Sequence, residues 1–156
     1  MFRKMRRQER CMDAVTIEEI LQNGKYGVLS VQGTDYPYGV PLSYAFKGDD
    51  IYLHMAVAGL KLELLRAAPK VSFCVVGEAE PLPEKFSMAY QSVIVFGTAE
   101  ELFEQEKAAA LELLLLKYSP EQLERGREYI KAAGGRTLVY KIAIKQRSGK
   151  YRPAAV

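Results

Sequence analysis

Apolar residues along this chain change their spacing several times, and each change marks an element. Ile17, Ile20 and Leu21 form a helical stripe behind Thr16-Ile17-Glu18-Glu19, which has capping-box spacing, and Asn23-Gly24 ends it. Residues 26–31 are β-formers, Gly33-Thr34-Asp35 is a turn, and residues 36–46 alternate weakly around Val40, Leu42, Tyr44 and Phe46. This pattern predicts a β-hairpin. The tight turn Lys47-Gly48-Asp49-Asp50 then leads into Ile51-Tyr52-Leu53-His54-Met55, a third strand expected to pair with the second. Leu60, Leu62, Leu64 and Leu65, set among Lys61, Glu63 and Arg66, return to helical spacing. That helix should stop before Pro69, because the residue ahead of a proline avoids helical backbone.

The apolar run 71–76 reads as a buried fourth strand. Pro81 and Pro83 then make residues 77–85 an expected loop, long enough to cover or rim something. A strand resumes over 91–99 on Val93-Ile94-Val95-Phe96-Gly97. Two amphipathic helices follow, 104–117 with Leu111, Leu114 and Leu115 inward, and 120–132, which stops at Gly134-Gly135. A last strand, 137–145, runs into a basic tail. Six or so strands linked mainly by hairpins, with helices inserted at one place and near the end, make an antiparallel barrel of the α+β class. The βαβ rhythm of a doubly wound sheet is missing, as are GxGxxG and Walker patterns.

Composition narrows the setting. With 156 residues, 49% apolar and 26% charged, the chain has the make-up of one globular domain with its own core. Unbroken apolar runs, such as 113–116, reach four residues at most, far short of the roughly 20 that span a bilayer. The N-terminus lacks an apolar signal region, so the expected compartment is the cytoplasm, with no membrane partner. Cys11 and Cys74 have no CxxC or Cys/His spacing, which leaves a metal site unsupported and makes Cys74 an expected buried strand residue. Part of the net charge of +3 comes from Arg3, Lys4, Arg6, Arg7 and Arg10. We read residues 1–12 as a basic N-terminal arm ahead of a single domain over 13–150. No helix-turn-helix, RRM or zinc-finger pattern follows the arm, so it is expected to be solvated rather than bound to nucleic acid.

Three segments stand together in order: Tyr38-Gly39-Val40-Pro41-Leu42-Ser43-Tyr44, then Ile51-Tyr52-Leu53-His54 with Gly59-Leu60-Lys61, then Pro69-Lys70-Val71-Ser72-Phe73-Cys74-Val75-Val76. Glu84-Lys85-Phe86 and Tyr90-Gln91-Ser92-Val93-Ile94-Val95-Phe96-Gly97 follow them. This ordered set resembles the pyridoxamine 5'-phosphate oxidase-like FMN-binding split barrels, and within them the branch of the nitroimidazole-resistance (Nim) proteins, from about residue 6 to about residue 152. The resemblance implies a split-barrel homodimer with FMN in a groove at the subunit interface, each flavin touching both chains.

The residues themselves explain why such positions would serve. Pro41 donates no ladder hydrogen bond, which points to a sheet edge or bulge where a flat ring can lie against the backbone of Val40, Pro41, Leu42 and Ser43. His54, the only histidine, stands at a strand end with Met55, where it could contact the flavin, bind a substrate as a catalytic group or ligate a haem iron. Gly59 and Lys61 mark a strand-to-helix junction, where free N–H groups and a positive helix end favour a phosphate. Arg66 lies far around the helix from Lys61 and is a weaker candidate; Lys85 is a solvated lysine or lines a substrate mouth. The resemblance further implies that Ser92 approaches the phosphate or ribityl chain across the dimer, with Tyr90 and Gln91 beside it. The chain departs from the pattern at Leu60, where many relatives carry a histidine.

No Ser-His-Asp set, Cys-His pair or paired-carboxylate site stands out, so redox chemistry would belong to the cofactor. The expected activity is that of an FMN-dependent oxidoreductase, passing electrons from NAD(P)H or another donor to a small acceptor such as a nitroaromatic. A different class is the alternative: a non-catalytic protein holding flavin or haem, with His54 as the haem ligand.

Overall fold

The structure is a computed structural model that describes residues 2–154. Four α-helices and seven strands follow one another as α1 (Ala14–Asn23), β1 (Gly27–Val31), β2 (Tyr38–Leu42), β3 (Ala45–Lys47), β4 (Asp50–Ala56), α2 (Leu60–Ala67), β5 (Lys70–Leu82), β6 (Ser87–Leu102), α3 (Glu104–Tyr118), α4 (Leu123–Ala133) and β7 (Thr137–Arg152). All seven strands join one antiparallel sheet in the order β2-β1-β5-β6-β7-β4-β3. The two edge strands, β2 and β3, are neighbours in the chain, separated only by Ser43 and Tyr44. Three peptide steps reach about 11 Å at most, so the sheet must curl until its edges nearly meet. The result is a split barrel of the α+β class, left unpaired between β2 and β3.

The barrel interior is filled by alternate residues of each strand. Leu29, Ile51, Leu53, Phe73, Val75, Val93, Val95 and Ile142 are at most 1% exposed, and Ile17, Ile20 and Leu21 of α1 close one end. Tyr44 joins this core from the inter-edge link, packing edge-on to Phe73 and donating its hydroxyl to the Leu21 carbonyl at 2.6 Å. Because side chains alternate across a strand, burial of Ile51, Leu53 and Met55 turns Tyr52 and His54 outward.

The chain departs from the expectations in several places. The second strand is two, β2 pairing with β1 and β3 with β4, because the link between them crosses from one sheet edge to the other. Residues 77–82, expected as a loop, continue β5, and Pro81 is paired opposite Met88 beyond a register shift at Val76/Ala79. Pro81 itself lies in regular register past that shift. β1 pairs with β5 only as far as Cys74, so at Pro81 the strand has β6 on one side and a free edge on the other, where a missing N–H is tolerated. The last strand runs to Arg152, so the basic tail is ladder. The cap of α1 is Asp13, whose carboxylate accepts from the Thr16 N–H at 2.8 Å; Thr16 lies within the helix. Cys74 is half-buried rather than buried, on the outer face of β5. The stretch 2–12 includes a 3-10 turn, Gln8–Arg10, and lies along the sheet: Cys11 bridges to Lys150 and Phe2 meets the ring of Phe96 at 5.4 Å.

Candidate functional site

The end of β4 and the start of α2 form the most distinctive junction in the chain. Gly59 caps α2 with a φ of +121°, a backbone region closed to side-chain-bearing residues, and its carbonyl takes the N–H groups of Leu62 and Glu63. No side chain caps this helix start, so no capping oxygen offsets its positive end. Lys61, in the first turn, is half-buried, and burial pushes its amine below the usual lysine range. No carboxylate among the described residues pairs with it. Burial first, and then the charge of Lys61, hold the His54 imidazole below its ordinary pKa of 6.5. A desolvated amine at an uncapped helix start, its charge felt by the imidazole of the preceding strand, is a site short of negative charge.

Behind His54 opens a cavity of about 580 Å³ between the outer face of β4 and the α3–α4 hairpin. Ser43 and His54 both line it, together with Leu111, Leu114, Leu115 and Tyr118 of α3. Tyr118 fixes this corner. Its hydroxyl accepts from the Tyr44 N–H at 2.9 Å and lies within donating distance of the Lys25 carbonyl at 2.7 Å and the Tyr44 carbonyl at 2.9 Å. The end of α3 therefore holds the Ser43-Tyr44 link in place.

The remaining expected residues fall as follows. Val40 and Leu42 turn toward the core, half-buried, while Pro41 and Ser43 are exposed on the edge strand and link, where a proline's missing N–H costs no ladder bond. Met55 is buried in the barrel, leaving only its backbone for a ligand. Leu60 is exposed. Arg66 donates to Glu101 at 3.4 Å, the same carboxylate that accepts from the Tyr140 hydroxyl, so its charge is already engaged. Lys85 donates to the Ala154 carbonyl.

Tyr90, Gln91 and Ser92 lie on β6, outside the cavity that Ser43 and His54 share. Ser92 is paired opposite Lys150, and Tyr90 opposite Arg152. Desolvation raises the Tyr90 hydroxyl, but the neighbouring Lys150 and Arg10 outweigh it and hold the group below the usual tyrosine range. One chain thus carries two separate basic, polar clusters, one at the β4–α2 junction and one on the outer face of β6. Sequence reading missed Tyr118 and the α3–α4 wall, because a tyrosine at a helix end is an unremarkable residue until its hydroxyl is seen between the Lys25 and Tyr44 backbones.

The sequence profile of the pyridoxamine 5'-phosphate oxidase family matches residues 13–151. A curated relative, an uncharacterised protein of Rhizobium meliloti, is 28% identical over 102 residues, which are 65% of this chain; the match spans 59% of that relative's length. Among solved structures, a candidate 5-nitroimidazole antibiotic resistance protein from Bacteroides thetaiotaomicron has a TM-score of 0.74 at 22% identity, over 90% of this chain and 85% of that one. A FAD-binding protein from Mesorhizobium loti has a TM-score of 0.64 at 25% identity, over 92% and 98%. A flavocytochrome from Azotobacter vinelandii has a TM-score of 0.77 at 23% identity, over 96% and 72%. These likenesses show the split-barrel fold. Among the described residues, no helix is long and apolar enough to cross a membrane.

Proposed function

This chain belongs to the pyridoxamine 5'-phosphate oxidase family, and we propose that it is a cytoplasmic, FMN-dependent oxidoreductase that works as a homodimer. The observation that carries the reading is the β4–α2 junction, where the Lys61 ammonium at the uncapped start of α2 lacks a counter-charge and acts on the His54 imidazole of the preceding strand. A phosphate monoester fits there by charge and by the outward N–H groups of the helix start. The neighbours support a flavin: one is a FAD-binding protein and another a flavocytochrome.

In this reading Gly59 and Lys61 hold the phosphate, and the edge backbone of Val40, Pro41, Leu42 and Ser43 lies along the ring. His54, neutral at pH 7 because its pKa is lowered, stands at the ring's edge as the catalytic group, able to give or take a hydrogen bond. Tyr90, Gln91 and Ser92 complete the site from the second chain. When bound, the flavin supplies the electron transfer, from NAD(P)H or another donor to a small, nitroaromatic-type acceptor. The chain's own part is to bind, orient and exclude water.

The visible spectrum of the purified protein tests this. Absorption near ~450 nm, retained on gel filtration and released as FMN on heating, is the expected result. A Soret band would instead mark haem ligated through His54, and a colourless protein that binds neither group on titration would refute both readings.

A further inference from the structure

Helix α4 presents an anomaly. In its run Leu123–Ala133 no residue is buried, although Gly126, Tyr129, Ile130 and Ala133 fall on one stripe at helical spacing. A surface helix ordinarily buries such a stripe. Here the helix is seated closely on α3 at Gly126, where a Cβ would lie 2.2 Å from Leu115 Cδ1, and Arg127 on its outer side pairs with Glu112. The stripe faces the cavity of about 580 Å³ beside His54, within the common range for small-molecule sites.

The charge of the wall narrows what can fill it. No aspartate or glutamate lines the cavity, and Arg125 lies on its rim with no ion pair or hydrogen bond among the described residues. Tyr118 and Tyr129 supply two aromatic walls. We propose that this cavity binds an aromatic monocarboxylate, with the Arg125 guanidinium taking the carboxylate and the ring lying between Tyr118 and Ile130. One planar guanidinium matches one carboxylate, and a cationic ligand would find no counter-charge. The proposal deepens the preceding reading by naming a ligand class for the space next to His54. It rests on that reading only for the ligand's nearness to flavin; binding itself needs no flavin.

The test uses the full chain as purified, with 2-naphthoate and its neutral counterpart 2-naphthamide as probes in calorimetric titration. 2-Naphthoate should bind saturably, and Arg125→Gln should weaken it at least tenfold while changing the amide less than twofold. Ile130→Trp, which fills the cavity, should remove both probes. Affinity for FMN, titrated separately by flavin fluorescence, should be unchanged in both variants. Absence of saturable 2-naphthoate binding, or equal losses of acid and amide in Arg125→Gln, overturns the assignment. So does a change of sedimenting mass in Ile130→Trp without probe binding by the parent, which would make the α4 stripe a subunit contact. If 2-naphthoate binds with the expected pattern while FMN does not bind at all, the flavin reading fails and this one stands.

Discussion

His54 and Lys61 are coupled across the β4–α2 junction: burial and then the lysine's charge hold the imidazole below its ordinary pKa of 6.5. The unfolded chain therefore takes up this proton at a higher pH than the folded one. Stability due to neutral His54 is complete above pH 6.5 and is lost as pH falls through the lower folded value. Lys61→Ala should move the His54 titration, followed by NMR, back toward 6.5. An anion at the junction favours the imidazolium, so FMN should also raise the His54 pKa. For FMN affinity, Lys61→Ala should cost about tenfold or more, on the order of 1.5–3 kcal/mol for a charged hydrogen bond. Unchanged affinity would remove Lys61 from the phosphate site.

Tyr118 gives a prediction about the corner that carries Ser43. Its hydroxyl is the acceptor for the Tyr44 N–H, which sits between the two barrel edges. Tyr118→Phe leaves that N–H in a part-buried place without its partner, at a cost of about 1–3 kcal/mol in urea unfolding. Since α3 would no longer hold the link, amide exchange at Ser43 and Tyr44 should quicken before exchange in β5 or β6 does. Equal exchange at all these sites would mean that packing of the Tyr44 ring alone fixes the corner.

Much of the barrel was legible because its residues obey one local rule at a time. The stripes of α1 and α2, the buried run of β5 and the apolar alternation of β6 each follow from burial on one face. What was not legible depended on partners distant in sequence. The link Ser43-Tyr44 looks like the middle of one strand, and only the sheet order shows that it crosses from edge to edge. Pro81 reads as a breaker, yet β5 continues through it, because there the strand is paired with β6 alone and its other edge is free. In the candidate site what was legible was backbone placement: Gly59 at the strand-to-helix junction, with its positive φ, and Pro41 on an edge strand. Met55 could not be told from His54 without knowing which strand face meets the core.

Gly97 links pattern to geometry in a testable way. A glycine inside an apolar strand marks a bulge or a close backbone approach, and here it marks both. The β6–β7 register shifts between Phe96 and Gly97, and a Cβ at position 97 would lie 2.5 Å from the Ala143 carbonyl oxygen and 2.6 Å from Ile142 Cγ2. Backbone cannot give way as a side-chain end can. Gly97→Ala should destabilise the barrel by about 1–3 kcal/mol, read as a lower urea midpoint at unchanged slope. A neutral effect would show that the β6–β7 ladder shifts freely at this point.

The outer face of β6 bears on whether one chain makes a whole site. Ser92, Ile94 and Phe96 share that face by alternation, and Val76 of β5 adds to it; Val76 is 56% exposed, Ile94 40% and Phe96 39%. An apolar row on a sheet surface is characteristic of an interface. The proposed homodimer would place this row against a second chain and so bring Ser92 toward the partner's Lys61 junction. Light scattering should then give a mass twice the 17.5 kDa of one chain. Ile94→Glu puts an unpaired charge into the contact and should yield monomers that keep the fold, because the side chain points away from the core. Those monomers should bind FMN at least tenfold more weakly although Gly59 and Lys61 are untouched. Full FMN affinity in a monomeric Ile94→Glu protein would mean that the junction in a single chain suffices and that Tyr90, Gln91 and Ser92 have no part in holding the cofactor.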